Sequence, residues 1–147
     1  MLDRATLGEH LAIIGGGLVG CELAQHLTQT RGKTVDLIEM QGKLLPEPVF
    51  IVNEMSLVGM VHSNPRITPH VGTKLVEIKE EGVIVEKDGK QELIPCDTAI
   101  ISIGLRSNNA LAEALKDKVD VRVIGDAIRP RHIIEATSEA RDVVLAI

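Results

Sequence analysis

Three consecutive glycines, Gly15-Gly16-Gly17, stand at the junction of two stretches of different periodicity, and this junction constrains the fold most strongly. Before them, His10-Leu-Ala-Ile-Ile14 is an apolar run of strand length. After them, Leu18, Cys21, Ala24 and Leu27 recur at helical spacing across residues 18–30, with Glu22, Gln25, His26 and Gln29 between. Gly32 ends that helix, and Thr34-Val-Asp-Leu-Ile38 reads as a second strand. Strand, helix and strand within about 30 residues predict a βαβ unit, with parallel strands and a right-handed crossover.

Downstream the pattern changes twice. Pro46 and Pro48 bracket the start of an apolar helical segment, Val49 to Val61, that stops before Pro65. Residues 75–78, 82–85 and 91–94 are short strands separated by Glu80-Glu81-Gly82 and by Asp88-Gly89. Asp-Gly between strand patterns is a hairpin signal, so an antiparallel three-stranded meander is expected there. Residues 98–103 form another apolar strand ended by Gly104, residues 108–115 a short helix, and residues 121–124 a last strand ended by Gly125-Asp126. An amphipathic helix over 131–147 carries Ile133, Ala136, Ala140, Val143 and Ile147 on one face. The fold class is therefore α/β: a Rossmann-like parallel sheet flanked by helices, with an antiparallel meander.

Composition narrows the chemistry. The 147 residues carry 16 Lys plus Arg against 21 Asp plus Glu, a net charge of −5 with no basic run, which argues against a nucleic-acid partner. Phe50 is the single aromatic residue, which removes base-stacking platforms and any mechanism built on a catalytic tyrosine. No apolar run approaches the roughly 18 residues of a membrane span, and residues 1–10 lack signal-peptide features. A reducing, cytoplasmic setting is the expectation.

Gly15-Gly16-Gly17-Leu18-Val19-Gly20 is Gly-x-Gly-x-x-Gly between a strand and a helix, and the acidic Glu39 follows nineteen positions after Gly20. Each part has a physical role in dinucleotide binding. Gly15 permits the tight turn, Gly17 lets a pyrophosphate approach the backbone, and Gly20 allows close packing of helix on strand. The amides and the dipole of the helix opening at Leu18 and Val19 would hold the phosphates. Glu39 is placed to accept hydrogen bonds from adenosine ribose hydroxyls and to repel a 2′-phosphate, so NAD(H) is expected over NADP(H). Asp36, nearer the start of its strand, reads as a solvated or edge residue.

Cys21 lies in the first helical turn, where it reads as a small residue packed under the glycine loop rather than a redox group. Cys96 gives it no Cys-x-x-Cys partner. His10, His26, His62, His70 and His132 show no metal-ligand spacing and read as surface or capping residues, so no metal ligand is assigned. No catalytic residue is assigned either.

Ile13 to Ala24, Val35 to Glu39, Asp97 to Arg106 and Val121 to Ala127 occur in the order found in pyridine-nucleotide-dependent flavin oxidoreductases. The ending Gly125-Asp-Ala-Ile-Arg-Pro-Arg-His-Ile-Ile-Glu-Ala136 most resembles the C-terminal region of old-yellow-enzyme-like NADH:flavin oxidoreductases, the group of 2,4-dienoyl-CoA reductase, trimethylamine dehydrogenase and enoate reductases. The resemblance implies an NAD-binding Rossmann domain over 1–118 and a segment returning to an FAD domain over 119–147. It implies that Ile103 and Gly104 pass close to the nicotinamide nucleotide and that Gly125 and Asp126 meet the flavin ribityl–phosphate region. It also implies a parent enzyme with FAD, FMN and a 4Fe–4S cluster, whose flavin-binding and barrel domains are the chain's partners. The isolated chain is then expected to be inactive, and self-association as a homo-oligomer is expected through the exposed face of the last helix. A non-enzymatic NAD-sensing Rossmann module is the alternative reading.

Overall fold

The computed structural model describes residues 5–46 and 51–146. They divide into two compact units, Met1–Gly104 and Leu105–Ile147, so the division falls inside the 1–118 stretch expected for the nucleotide-binding domain.

In the first unit, strand β1 (His10–Ile14), helix α1 (Leu18–Arg31) and strand β2 (Thr34–Ile38) form the expected βαβ unit, with β1 and β2 parallel from His10↔Thr34 to Ile14↔Ile38. Helix α2 (Ile51–Ser63) follows; the expected start at Val49 lies outside the described residues. Strand β3 (Ile67–His70) then pairs parallel with β2. Sequence reading missed it because Pro65 and Pro69 break the strand signal. Proline is tolerated in a strand only where its missing N–H faces no neighbour, and β3 is an edge strand.

Strands β4 (Lys74–Lys79), β5 (Gly82–Lys87) and β6 (Lys90–Pro95) form the antiparallel meander, with a register shift between Leu75 and Glu77. Asp88 (φ 51°) and Gly89 (φ 74°) both hold the left-handed backbone that a two-residue hairpin turn demands. Strand β7 (Thr98–Ile101) returns to pair with β1, giving the sheet order β3-β2-β1-β7.

Apolar residues run continuously through β1 because both of its faces are covered. Leu11 and Ile13 pack with Val35 and Leu37 against Cys21, Ala24 and Leu27 of α1 and Leu57 and Val61 of α2. On the other face, Ala12, Ile14 and Ile38 pack with Val83, Val85 and Ile94 of the meander. The unit is thus three layers: helices, parallel sheet, antiparallel sheet.

The second unit holds helix α3 (Ala110–Leu115), a 3-10 turn at Gly125–Ala127 and helix α4 (Ile133–Leu145). The strand expected over 121–124 does not form. Ile124 has extended backbone (φ −139°, ψ 164°), yet no described strand lies beside it to complete a ladder. Extended chain becomes sheet only where a neighbour satisfies its N–H and C=O groups. On α4, Ala136, Ala140 and Val143 are half-buried as the apolar face requires, whereas Ile133 is 83% exposed, and Ile147 lies outside the described residues.

Candidate functional site

The glycine loop joins β1 to α1 at the carboxyl end of the parallel sheet, and its four glycines are there for different physical reasons. Gly15 holds φ 113°, and a Cβ on it would overlap the carbonyl oxygen of Ser102 just beyond β7. A Cβ on Gly20 would overlap the carbonyl oxygen of Gly15, so Gly20 sets how closely α1 approaches the loop. A Cβ on Gly16 would lie 2.7 Å from Leu44 Cδ2 and 2.8 Å from Glu39 Cβ. Gly17 differs: a Cβ there would meet nothing within 4 Å. Its space is open toward the helix end.

Among the described residues, no side chain caps that end. Gly17 is the N-cap of α1, makes no side-chain cap hydrogen bond, and no acidic residue stands in the first turn. The first N–H groups of any helix have no intrahelical acceptor, so those of Gly17, Leu18, Val19 and Gly20 find none within α1, whose first bond runs from Cys21 N to Gly17 O. Leu18 and Val19 themselves are 39% and 67% exposed, although apolar.

Glu39, one residue past β2, is 6% exposed. One carboxylate oxygen accepts the N–H of Gly16 at 2.8 Å and the other accepts the N–H of Gln41 at 2.7 Å. A carboxylate offers about four lone-pair sites, so two remain for further donors. Its own N–H donates to His70 O at 2.9 Å, and its carbonyl accepts from Thr73 N at 2.9 Å. The acid is therefore held at the glycine loop, and Gly16 spends its amide on it.

Cys21 is fully buried, and its thiol donates to Gly16 O at 3.3 Å. Burial and the nearby carboxylates of Glu39 and Glu22 push its pKa up to about 11. A thiol that stays protonated is a packing and hydrogen-bonding group, not a nucleophile. Burial likewise raises Cys96, half-buried between β6 and β7.

Two features escaped sequence reading. The Leu44-Leu45 pair is buried, with Leu45 N donating to Gly16 O at 2.8 Å, so the segment after β2 folds over the glycine loop. Two adjacent leucines in an otherwise polar loop were the available signal. His70 and Asp36, expected as surface and edge residues, instead meet at 2.6 Å across β3 and β2, each about a quarter exposed. The expectation rested on Asp36 lying near the start of its strand; β3, which the sequence did not reveal, pairs with β2 and supplies the partner.

Ile103 and Gly104 lie exposed just past β7. In the second unit Gly125 is buried and donates its N–H to Glu139 Oε2 at 2.7 Å, while the other Glu139 oxygen pairs with Arg131. Asp126 is exposed and accepts the N–H of Arg131 at 3.2 Å.

The parallel sheet, its flanking helices and the appended antiparallel sheet make this a Rossmann-like fold of the pyridine nucleotide oxidoreductase kind. More particularly, residues 1–140 match the pyridine nucleotide-disulphide oxidoreductase family, and the chain belongs to it. It is similar to a cinnamate reductase of Clostridium sporogenes, 34% identical over 97% of this chain and 22% of that one. An NADH oxidase of Thermoanaerobacter brockii is 36% identical over 95% of this chain and 21% of that one. The chain spans about a fifth of the length of these relatives. Among solved structures, a 2-naphthoyl-CoA reductase complex superposes with a TM-score of 0.78 at 24% identity, over 99% of this chain and 22% of that one. Histamine dehydrogenase from Rhizobium sp. 4-9 gives 0.71 at 18% identity, over 93% and 23%. The family works with a nicotinamide dinucleotide and a flavin. No helix among the described residues is long and apolar enough to cross a membrane.

Proposed function

We propose that this chain is the NADH-binding part of a flavin-dependent oxidoreductase, holding NADH so that hydride passes to a flavin carried by a larger protein. The observation that carries this reading is the contrast among the loop glycines: Gly15, Gly16 and Gly20 are crowded by protein, whereas Gly17 faces open space at a helix end that no side chain among the described residues caps. That is the shape a pyrophosphate needs.

In this reading the amides of Gly17, Leu18 and Val19 hold the pyrophosphate, and Gly15, Gly16 and Gly20 shape the turn. Glu39 uses its remaining acceptor capacity for the adenosine ribose hydroxyls. Ile103 and Gly104 border the nicotinamide side, and Gly125 and Asp126 meet the flavin. The bound cofactors supply the redox chemistry; the chain supplies binding and orientation. Its domains are then 1–118 for the nucleotide and 119–147 toward the flavin domain. Kinship with a cinnamate reductase supports placing the parent among enoate reductase-like enzymes. No residue of this chain is assigned to FMN or to a 4Fe–4S cluster. Calorimetric titration of NADH into wild type and Gly17→Val tests the proposal: wild type binds, the folded variant does not, and retained binding in the variant refutes the loop as the site.

A further inference from the structure

We propose that Cys21 and Leu45 are positioning residues of the nucleotide site: with Glu39 they lock the Gly16 peptide, so that the loop presents the amides of Gly17, Leu18 and Val19 in a fixed direction. The inference rests on the reading that this loop holds NAD(H).

Gly16's own N–H and carbonyl are both engaged. The N–H donates to Glu39 at 2.8 Å, and the carbonyl accepts from both Leu45 N at 2.8 Å and Cys21 Sγ at 3.3 Å. Rotating this stretch of backbone breaks those hydrogen bonds, and the Leu44 side chain lies against the Gly16 Cα where a Cβ would be. Leu45 is 1% exposed and holds φ 48°, a left-handed backbone rare for a residue with a branched side chain. Such a conformation persists only where its surroundings over-determine it, and it recurs at ligand clamps. Here the surroundings are explicit. Gln41 N is bound by Glu39, Gln41 O accepts from Gly72 N at 2.7 Å, and Glu39 O accepts from Thr73 N at 2.9 Å. Residues 39–45 are thus tied to the β3–β4 connection on one side and to the glycine loop on the other. Cys21 closes the arrangement from within α1, and its raised pKa keeps the S–H donor in place at neutral pH.

The test is calorimetric NADH titration of wild type, Gly17→Val, Cys21→Ser, Cys21→Ala and Leu45→Gly, with thermal midpoints and amide exchange at Leu45. Cys21→Ser keeps a donor to Gly16 O and is expected to bind as wild type does. Cys21→Ala removes the donor and is expected to weaken binding about five-fold, the scale of one neutral hydrogen bond. Leu45→Gly loosens the strap and is expected to weaken binding and speed exchange at residue 45. A merely structural role would lower thermal midpoints without separating Cys21→Ser from Cys21→Ala in affinity. Equal affinities in wild type, Cys21→Ala and Leu45→Gly, with Gly17→Val not binding, overturn the positioning roles alone. Wild type without NADH affinity, or Gly17→Val binding as wild type does, overturns the underlying reading and this inference with it. If Leu45→Gly does not fold, the two Cys21 variants decide.

Discussion

The Glu39 carboxylate lies 2.8 Å from the backbone nitrogen of Gly16, which ties the end of β2 to the glycine loop before any ligand is considered. Glu39 therefore carries two duties, and its removal should show both. We expect NAD(H) to bind more tightly than NADP(H). Glu39→Ala should lose about 1.5–3 kcal/mol of NAD(H) affinity, the range for hydrogen bonds to a charged group. It should also lower the thermal midpoint, because the amides of Gly16 and Gln41 lose their acceptor. Calorimetry with both cofactors and a melting curve measure the two effects; equal wild-type affinities would contradict the first.

The glycines should separate in mutagenesis. Gly17→Val, with nothing within 4 Å of its Cβ, is expected to keep a wild-type circular dichroism spectrum while losing nucleotide binding. Gly20→Val must displace the Gly15 carbonyl and should cost about 1–3 kcal/mol or more through overpacking. Paired melts and titrations check the contrast, and a destabilised Gly17→Val would count against it.

Asp97 supplies a pH dependence. Its carboxylate accepts the N–H groups of His10 and Glu9, each at 2.8 Å, and these hold its pKa below the ordinary aspartate value. A lowered folded-state pKa stabilises the fold above the unfolded value of about 3.9, and that stability is lost as pH falls through the folded value. Melting temperatures should therefore drop below about pH 4, and Asp97→Asn should flatten that acid limb. In the second unit Glu139, lowered by the Gly125 N–H and by Arg131, has the same sign. An acid limb unchanged in Asp97→Asn would exclude the Asp97 contribution.

The purified chain is expected to hold no flavin and to leave NADH unoxidised. One glycine loop serves one dinucleotide, and a flavin pyrophosphate needs a helix end of its own. With no Trp or Tyr, the protein absorbs little near 280 nm, so bound nucleotide or flavin dominates its spectrum. A flavin spectrum at one equivalent, or NADH turnover without added flavin, would refute this expectation.

Sequence alone determined the parts whose causes are local. The alternation from apolar run to glycines to helical spacing specified β1, α1 and β2, and Asp88-Gly89 specified the meander's hairpin, because periodicity and turn chemistry act within a few residues. Tertiary structure decided what depends on a distant partner. Strand β3 exists because β2 offers it a ladder despite Pro69, and residues 121–124 stay outside any ladder because no described strand lies beside them. The same holds at the candidate site. Glu39 was legible as an acid at a strand tip, but its bonds to Gly16 and Gln41, the fold of Leu44-Leu45 over the loop and the pairing of Asp36 with His70 were not. Each is a hydrogen bond or contact whose partner is chosen by how the layers pack, and local sequence carries no record of that choice.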